Sequence, residues 1–219
     1  MRVAGLYAIL DLPHPHGANP VELARAFVEG GASSIQLRAK RASHEDRLAI
    51  LRAIAPLCQA DGVSLWVNDD IAAAEAILAA DPSRHLGVHL GQSDLAALGP
   101  APALRIRRLR EARLGVGIST HTLDQVEAAL ALGPDYLGFG PVFATHTKRD
   151  AEPVVGLELL ARACARADVP VVAIGGIGLD AFESVKKAGA AAIAVIGALI
   201  ADTPEQTRAR CHALARRLA

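Results

Sequence analysis

Cysteine is scarce. The 219 residues hold three, Cys58, Cys164 and Cys211, odd in number, far apart and without a CxxC pair. That spacing excludes a disulfide framework and a zinc knuckle, and it points to a reducing compartment, the cytoplasm. A long apolar run is also missing: the longest uncharged stretch, Ala188 to Ala201, has 14 residues interrupted by Gly189 and Gly197. A bilayer-crossing helix needs roughly 18, so no membrane segment is expected. The chain opens Met1-Arg2-Val3 and reaches Asp11 with no secretory leader pattern. Net charge is absent too, with 23 Lys+Arg against 23 Asp+Glu. The basic excess that drives non-specific nucleic-acid binding is therefore lacking, and any phosphate recognition must be local. No linker, low-complexity tract or charge block divides the chain, which predicts one domain over residues 1–219.

What is present is alternation. Short apolar runs recur at Leu6–Leu10, Ser34–Leu37, Leu65–Val67, Leu86–Leu90, Leu114–Ile118, Tyr136–Phe139, Val171–Ile174 and Ala192–Ile196. Between them, helical spacing covers Pro20–Glu29, Glu45–Gln59, Asp69–Ala80, Leu123–Leu132, Gly156–Ala167, Leu179–Ala188 and Pro204–Leu218. Asn19-Pro20 and Thr203-Pro204 read as caps followed by proline, and Ser43 with Asp46 as a capping box. Gly30-Gly31, Gly62, Gly133 and Gly189 supply stops. Runs apolar throughout, such as Val171-Val172-Ala173-Ile174, suit parallel strands covered on both faces. Eight β/α units of roughly 27 residues predict an α/β fold closed as a single (β/α)8 TIM barrel. A doubly wound open sheet is the competitor, but no GxGxxG follows the first run.

In such a barrel, the loops after the strands carry the chemistry. Gln36-Leu37-Arg38-Ala39-Lys40 alternates so that Gln36, Arg38 and Lys40 share a side. Only four Lys stand against nineteen Arg, and Lys40 and Lys148 both fall in these loops, which weighs against plain solvated charge. Asn68-Asp69-Asp70 and His89-Leu90-Gly91-Gln92-Ser93-Asp94 bring carboxylates from neighbouring strands together. Hard oxygens beside fixed cations suit Mg²⁺ shared with a substrate polyphosphate, with Asp69 and Asp94 as ligands. The plain alternative is that both serve helix starts, Asp69 as an N-cap. Ser119 and Thr120 suit an anion or a cap, and His121 a proton transfer or a cap. The sixth connection, from Gly138 to Gly156, holds Thr145, Thr147 and Lys148 and has the length of a lid. Gly175-Gly176-Ile177-Gly178 and Gly197 sit where many barrels hold a phosphate on bare backbone N–H groups. Two anion regions on one face suggest a transferase that joins two phosphorylated pieces and releases pyrophosphate.

These motifs resemble, in order along nearly the whole chain, those of the thiamine-phosphate synthase family. They are Gln36–Lys40, Asn68-Asp69, Val88–Asp94, Gly117–His121, Gly138–Phe143 with Thr145–Lys148, and Ile174–Ile177. The resemblance implies a (β/α)8 enzyme joining hydroxymethylpyrimidine diphosphate to thiazole phosphate. Gln36, Arg38, Lys40 and Asn68 would hold the diphosphate substrate, with Asp69 and Asp94 on Mg²⁺. Ser119 and Lys148 would contact pyrophosphate, so that Arg38, Lys40, Ser119 and Lys148 form the catalytic set. Thr145, Thr147, Gly176 and backbone groups at Ile196-Gly197 would hold thiazole phosphate. The family commonly has Ser where Gly197 stands, so here the N–H remains without the hydroxyl. Rival expectations are a thiazole tautomerase-like paralogue, a phosphosugar isomerase or epimerase, and a barrel that binds without turnover. A homo-oligomer is an open possibility on this reading.

Overall fold

The computed structural model describes residues 3–145 and 152–218. The elements run β1 (Gly5–Asp11), α1 (Pro20–Glu29), β2 (Ser34–Arg38), α2 (His44–Ala60), β3 (Ser64–Asn68), α3 (Ile71–Ala80), β4 (Leu86–Leu90), α4 (Gln92–Ala97), α5 (Pro102–Glu111) and β5 (Gly115–Thr120). They continue with α6 (Leu123–Leu130), β6 (Tyr136–Phe139), α7 (Gly156–Arg166), β7 (Val171–Ile174), α8 (Phe182–Lys187), β8 (Ala192–Val195) and α9 (Pro204–Arg216). The strands close a barrel in sequence order. Every pairing is parallel, and β1 meets β8 in the register Gly5↔Ala192 to Ala8↔Val195. The (β/α)8 expectation is met.

Local chemistry accounts for the helix starts. Asn19 accepts from the Val21 amide, Ser43 from Asp46 and Thr203 from Gln206, each side chain satisfying a donor that has no partner within its helix. Two expectations move. The α3 helix begins at Ile71 rather than Asp69, and Asp70 is its cap, accepting from Ala73 at 2.9 Å. Between β4 and β5 the chain folds α4 and α5, which the apolar spacing did not reveal. Only Ile106 and Leu109 of α5 are buried, and none of α4 is, so neither helix carries a wide apolar stripe.

Strand alternation sorts side chains into two cores. Leu6, Ala8 and Leu10 of β1 face outward into the apolar layer beneath the helices. Tyr7 and Ile9 face the lumen with Trp66, Tyr136, Val172, Ala192 and Ala194. Large lumen rings fit because glycines face them. A Cβ on Gly117 would lie 2.2 Å from the Tyr136 ring, and one on Gly87 2.2 Å from Trp66. Trp66 meets Tyr136 edge-on at 4.7 Å between centroids, and His89 stacks on Tyr136 at 5.6 Å. An alanine at position 117 costs about 1–3 kcal/mol of overpacking.

Candidate active site

The C-terminal mouth of the barrel opens into two lobes with a common wall. The larger, about 640 Å³, is lined by Thr145, Glu152, Gly175, Gly176, Ile177, Ile196 and Gly197 among others. The smaller, about 100 Å³, is lined by Gln36, Arg38, Asn68, Asp69, His89 and Asp94. Lys40, Ser119 and Ile196 line both. The strand register places these groups. Asp11 pairs with Arg38 and Asn68 with His89, which brings four polar strand-end residues to one rim.

In the smaller lobe, Arg38 Nη1 reaches Asp11 Oδ1 at 2.5 Å, which orients the guanidinium, and Lys40 Nζ lies 3.7 Å from Asp69 Oδ2. Asp69 sits at φ 65. That left-handed conformation is costly for a residue with a side chain and is often found at functional sites. Because Asp70 holds the helix cap and ion-pairs with Arg47 at 2.8 Å, the Asp69 carboxyl is free of that duty and lines the lobe. Burial pushes it up to about 6, and the charge of Asp94 and a hydrogen bond with it add to the rise; Lys40 and Asn68 pull the other way. Asp94 stands in the first turn of α4 and accepts from the Gly91 amide at 3.0 Å. It therefore serves a helix start and faces Asp69 at once.

Two carboxylates in contact resist joint ionisation unless a proton or cation sits between them. Among the described residues no group of three or more His, Cys, Asp or Glu side chains could hold a metal. The Asp69–Asp94 pair is a hard-oxygen donor set of the size Mg²⁺ uses when substrate oxygens and water complete its shell.

The larger lobe carries six glycines, Gly138, Gly140, Gly175, Gly176, Gly178 and Gly197, beside Lys40, His121 and Glu152. Gly176 has φ 62, and a Cβ there would lie 2.3 Å from the Ala144 carbonyl oxygen, so only glycine permits this turn. Gly197 opens a short 3-10 turn, Gly197–Leu199, after β8. His121 Nδ1 lies 2.5 Å from the Gly140 carbonyl, and its amide donates to Gln125 Oε1 at 2.7 Å. Thr122, rather than Ser119 or Thr120, caps α6.

The structure thus brings together Gln36, Arg38, Lys40, Asn68, Asp69, Asp94 and Ser119 on one side, and Thr145, Gly176, Ile196 and Gly197 on the other. Thr147 and Lys148 lie outside the described residues, as does the whole 146–151 stretch of the sixth connection. Sequence reasoning missed Asp11, Tyr7, Tyr136 and His89 as lining or orienting groups. The strand parity that singled out Gln36 and Arg38 could have found them, since Tyr7 and Tyr136 occupy lumen positions beside them.

Comparison with known proteins places the chain in a family. A family model described as thiamine monophosphate synthase matches residues 6–199. The thiamine-phosphate synthase of Anaeromyxobacter dehalogenans is 43% identical over 213 residues, 97% of this chain and 88% of that protein. The one from Methanospirillum hungatei is 39% identical over 196 residues, 90% of this chain and 89% of the other. Among solved structures, thiamine phosphate pyrophosphorylase from Pyrococcus furiosus superposes with a TM-score of 0.81 at 32% identity, covering 98% of this chain and 95% of that one. The chain belongs to the thiamine monophosphate synthase family, a family of transferases.

Proposed function

We propose that the protein works as a single-barrel transferase that moves the hydroxymethylpyrimidine group from its diphosphate to thiazole phosphate, giving thiamine phosphate and pyrophosphate. The observation that carries this reading is the pair of lobes sharing Lys40 and Ser119, one lined by Arg38, Asp69 and Asp94 and the other carrying the glycines Gly175, Gly176, Gly178 and Gly197. A diphosphate fits the first and a monophosphate the second.

In this reading Gln36 and Asn68 orient the pyrimidine substrate, and Arg38, held by Asp11, fixes its diphosphate. The bond between the pyrimidine methylene carbon and the diphosphate oxygen breaks, and its electron pair leaves with pyrophosphate. Lys40, Ser119 and Lys148 stabilise that charge as it develops. The aminopyrimidine spreads the positive charge left behind until the thiazole nitrogen contributes its lone pair to the new C–N bond. Thr145, Thr147, Gly176 and the Ile196-Gly197 backbone hold thiazole phosphate in line for this step. No protein nucleophile is needed, so catalysis rests on positioning and on electrostatic stabilisation of the leaving group. Asp69 and Asp94 would hold Mg²⁺, which when bound neutralises part of the diphosphate charge.

A thiazole tautomerase has no use for the Arg38, Lys40, Asp69 and Asp94 set. Pyrophosphate release from the two substrates, measured with and without Mg²⁺, tests the proposal: metal-dependent release is expected, and release independent of either substrate or of the metal overturns it.

A further inference from the structure

Five side chains from five strands stand in single file across the lumen. Gln36 Nε2 donates to Tyr7 Oη at 2.9 Å, and Tyr7 Oη lies 2.8 Å from Tyr136 Oη. Tyr136 Oη is 2.7 Å from His89 Nδ1, and His89 Nε2 is 2.7 Å from Ser119 Oγ. The last member lines both lobes of the mouth.

Hydrogens in such a file run one way. Each phenol has one proton to give, and a neutral imidazole has one donor and one acceptor nitrogen. With the Gln36 amide donating to Tyr7, the arrangement that leaves neither phenol hydrogen without a partner has Tyr7 donating to Tyr136 and Tyr136 donating to Nδ1 of His89. The ring then carries its hydrogen on Nε2 and donates to Ser119. Ser119 accepts that bond and keeps its own hydrogen for whatever occupies the mouth. A diphosphate presents only acceptors, so the open end of the file matches it. Burial pushes both phenols upward, so neither breaks the file by losing its proton. Turned about, with the Gln36 oxygen toward Tyr7, the same file would end in Ser119 lone pairs facing an anion.

We infer that Tyr7, Tyr136 and His89, anchored on Gln36, are positioning residues that act through Ser119 and present its O–H to the departing diphosphate. The inference rests on the transfer reading above and adds to it a direction and a chain of command.

The direction has its own spectroscopic signature. In the full-length protein with ¹⁵N-labelled histidine, the His89 ring, assigned by the signals lost in His89→Gln, is expected to be protonated on Nε2 with Nδ1 bare. Protonation on Nδ1 overturns the inference. Tyr136→Phe removes the middle link, and loss of one orienting hydrogen bond is expected to lower kcat for pyrophosphate release about tenfold, with KM for thiazole phosphate unchanged. Placed on top of Ser119→Ala it is expected to cost nothing more. Full additivity of the two losses overturns the inference, because a residue acting only through Ser119 has nothing to do once that hydroxyl is gone. Tyr7→Phe, one link further back, gives the same pattern with a smaller loss and keeps the test open should Tyr136→Phe unfold the barrel. A wild-type rate in Ser119→Ala alone counts against Ser119 in the transfer reading, and the histidine spectrum still decides the direction of the file.

Discussion

The two lobes of the mouth are built by different means. The smaller one uses charged side chains, including an aspartate in left-handed conformation whose carboxyl faces a second carboxylate. The larger one carries glycine turns such as Gly176, whose backbone takes a conformation closed to a side chain. Side-chain charge gathered in one place strains the protein before its ligand arrives, whereas bare backbone does not. Catalytic leverage is therefore expected from the first lobe and steric selectivity from the second.

Asp69→Asn separates leverage from strain most sharply. Turnover is expected to fall about a hundredfold, in the range found when one group that stabilises developing charge is removed. At the same time the metal-free variant should melt above the wild type at neutral pH, since the repulsion from Asp94 is gone. Pyrophosphate release and thermal unfolding on one preparation check both halves. A variant that loses turnover and melts below the wild type would show Asp69 to be a structural residue.

Asp94→Ala and Lys148→Ala come next, each expected to lower turnover at least about tenfold, about 1.4 kcal/mol. Asp94→Ala also loses the bond to the Gly91 amide, so circular dichroism of α4 and its neighbours is needed beside the rate. Wild-type rates in folded variants at saturating Mg²⁺ would remove both residues from the site.

Gly176→Ala probes the other lobe. The added methyl meets the Ala144 carbonyl oxygen, and the expected result is a several-fold rise in KM for thiazole phosphate with an unchanged KM for the diphosphate substrate. Equal changes in both constants would mean that the two lobes are not separate subsites.

The same contrast explains what was legible in the sequence. Strand runs and caps such as Ser43 with Asp46 are local, because their physics is settled within four residues of chain. Gln36 and Arg38 could be read from period-two alternation, and the glycines from their place after β7. The polar helix α5 could not, since its stability comes from a narrow contact through Ile106 and Leu109. Nor could the division of labour between Asp69 and Asp70, which depends on Arg47 and His44 in α2 reaching across to Asp70. The file from Gln36 to Ser119 joins residues up to 129 positions apart, and only barrel closure makes them neighbours.

The smallest expected effect is a pH slope that belongs to the smaller lobe alone. Asp69 ionises at 3.8 in an ordinary setting and at about 6 in the fold, raised by burial and by Asp94. Between those values the folded protein holds a proton that the unfolded chain has released, so unfolding releases it, and rising pH favours the unfolded state. The stabilising contribution is whole below 3.8 and is lost as pH climbs through about 6. Because Asp69 is partly open to solvent, the amplitude is roughly 1 kcal/mol at most. Denaturant titrations of metal-free protein from pH 4 to 7 should show this component in the wild type and lack it in Asp69→Asn. A divalent ion takes the place of that proton only where the carboxyl is ionised, so added Mg²⁺ should raise the melting temperature above pH 6 and leave it unchanged near pH 4. Among the described residues the larger lobe has no pair of facing carboxylates, and Gly176→Ala should leave both the slope and the Mg²⁺ response as they are. If Mg²⁺ stabilises Asp69→Asn as strongly as the wild type, the ion binds somewhere other than the carboxylate pair.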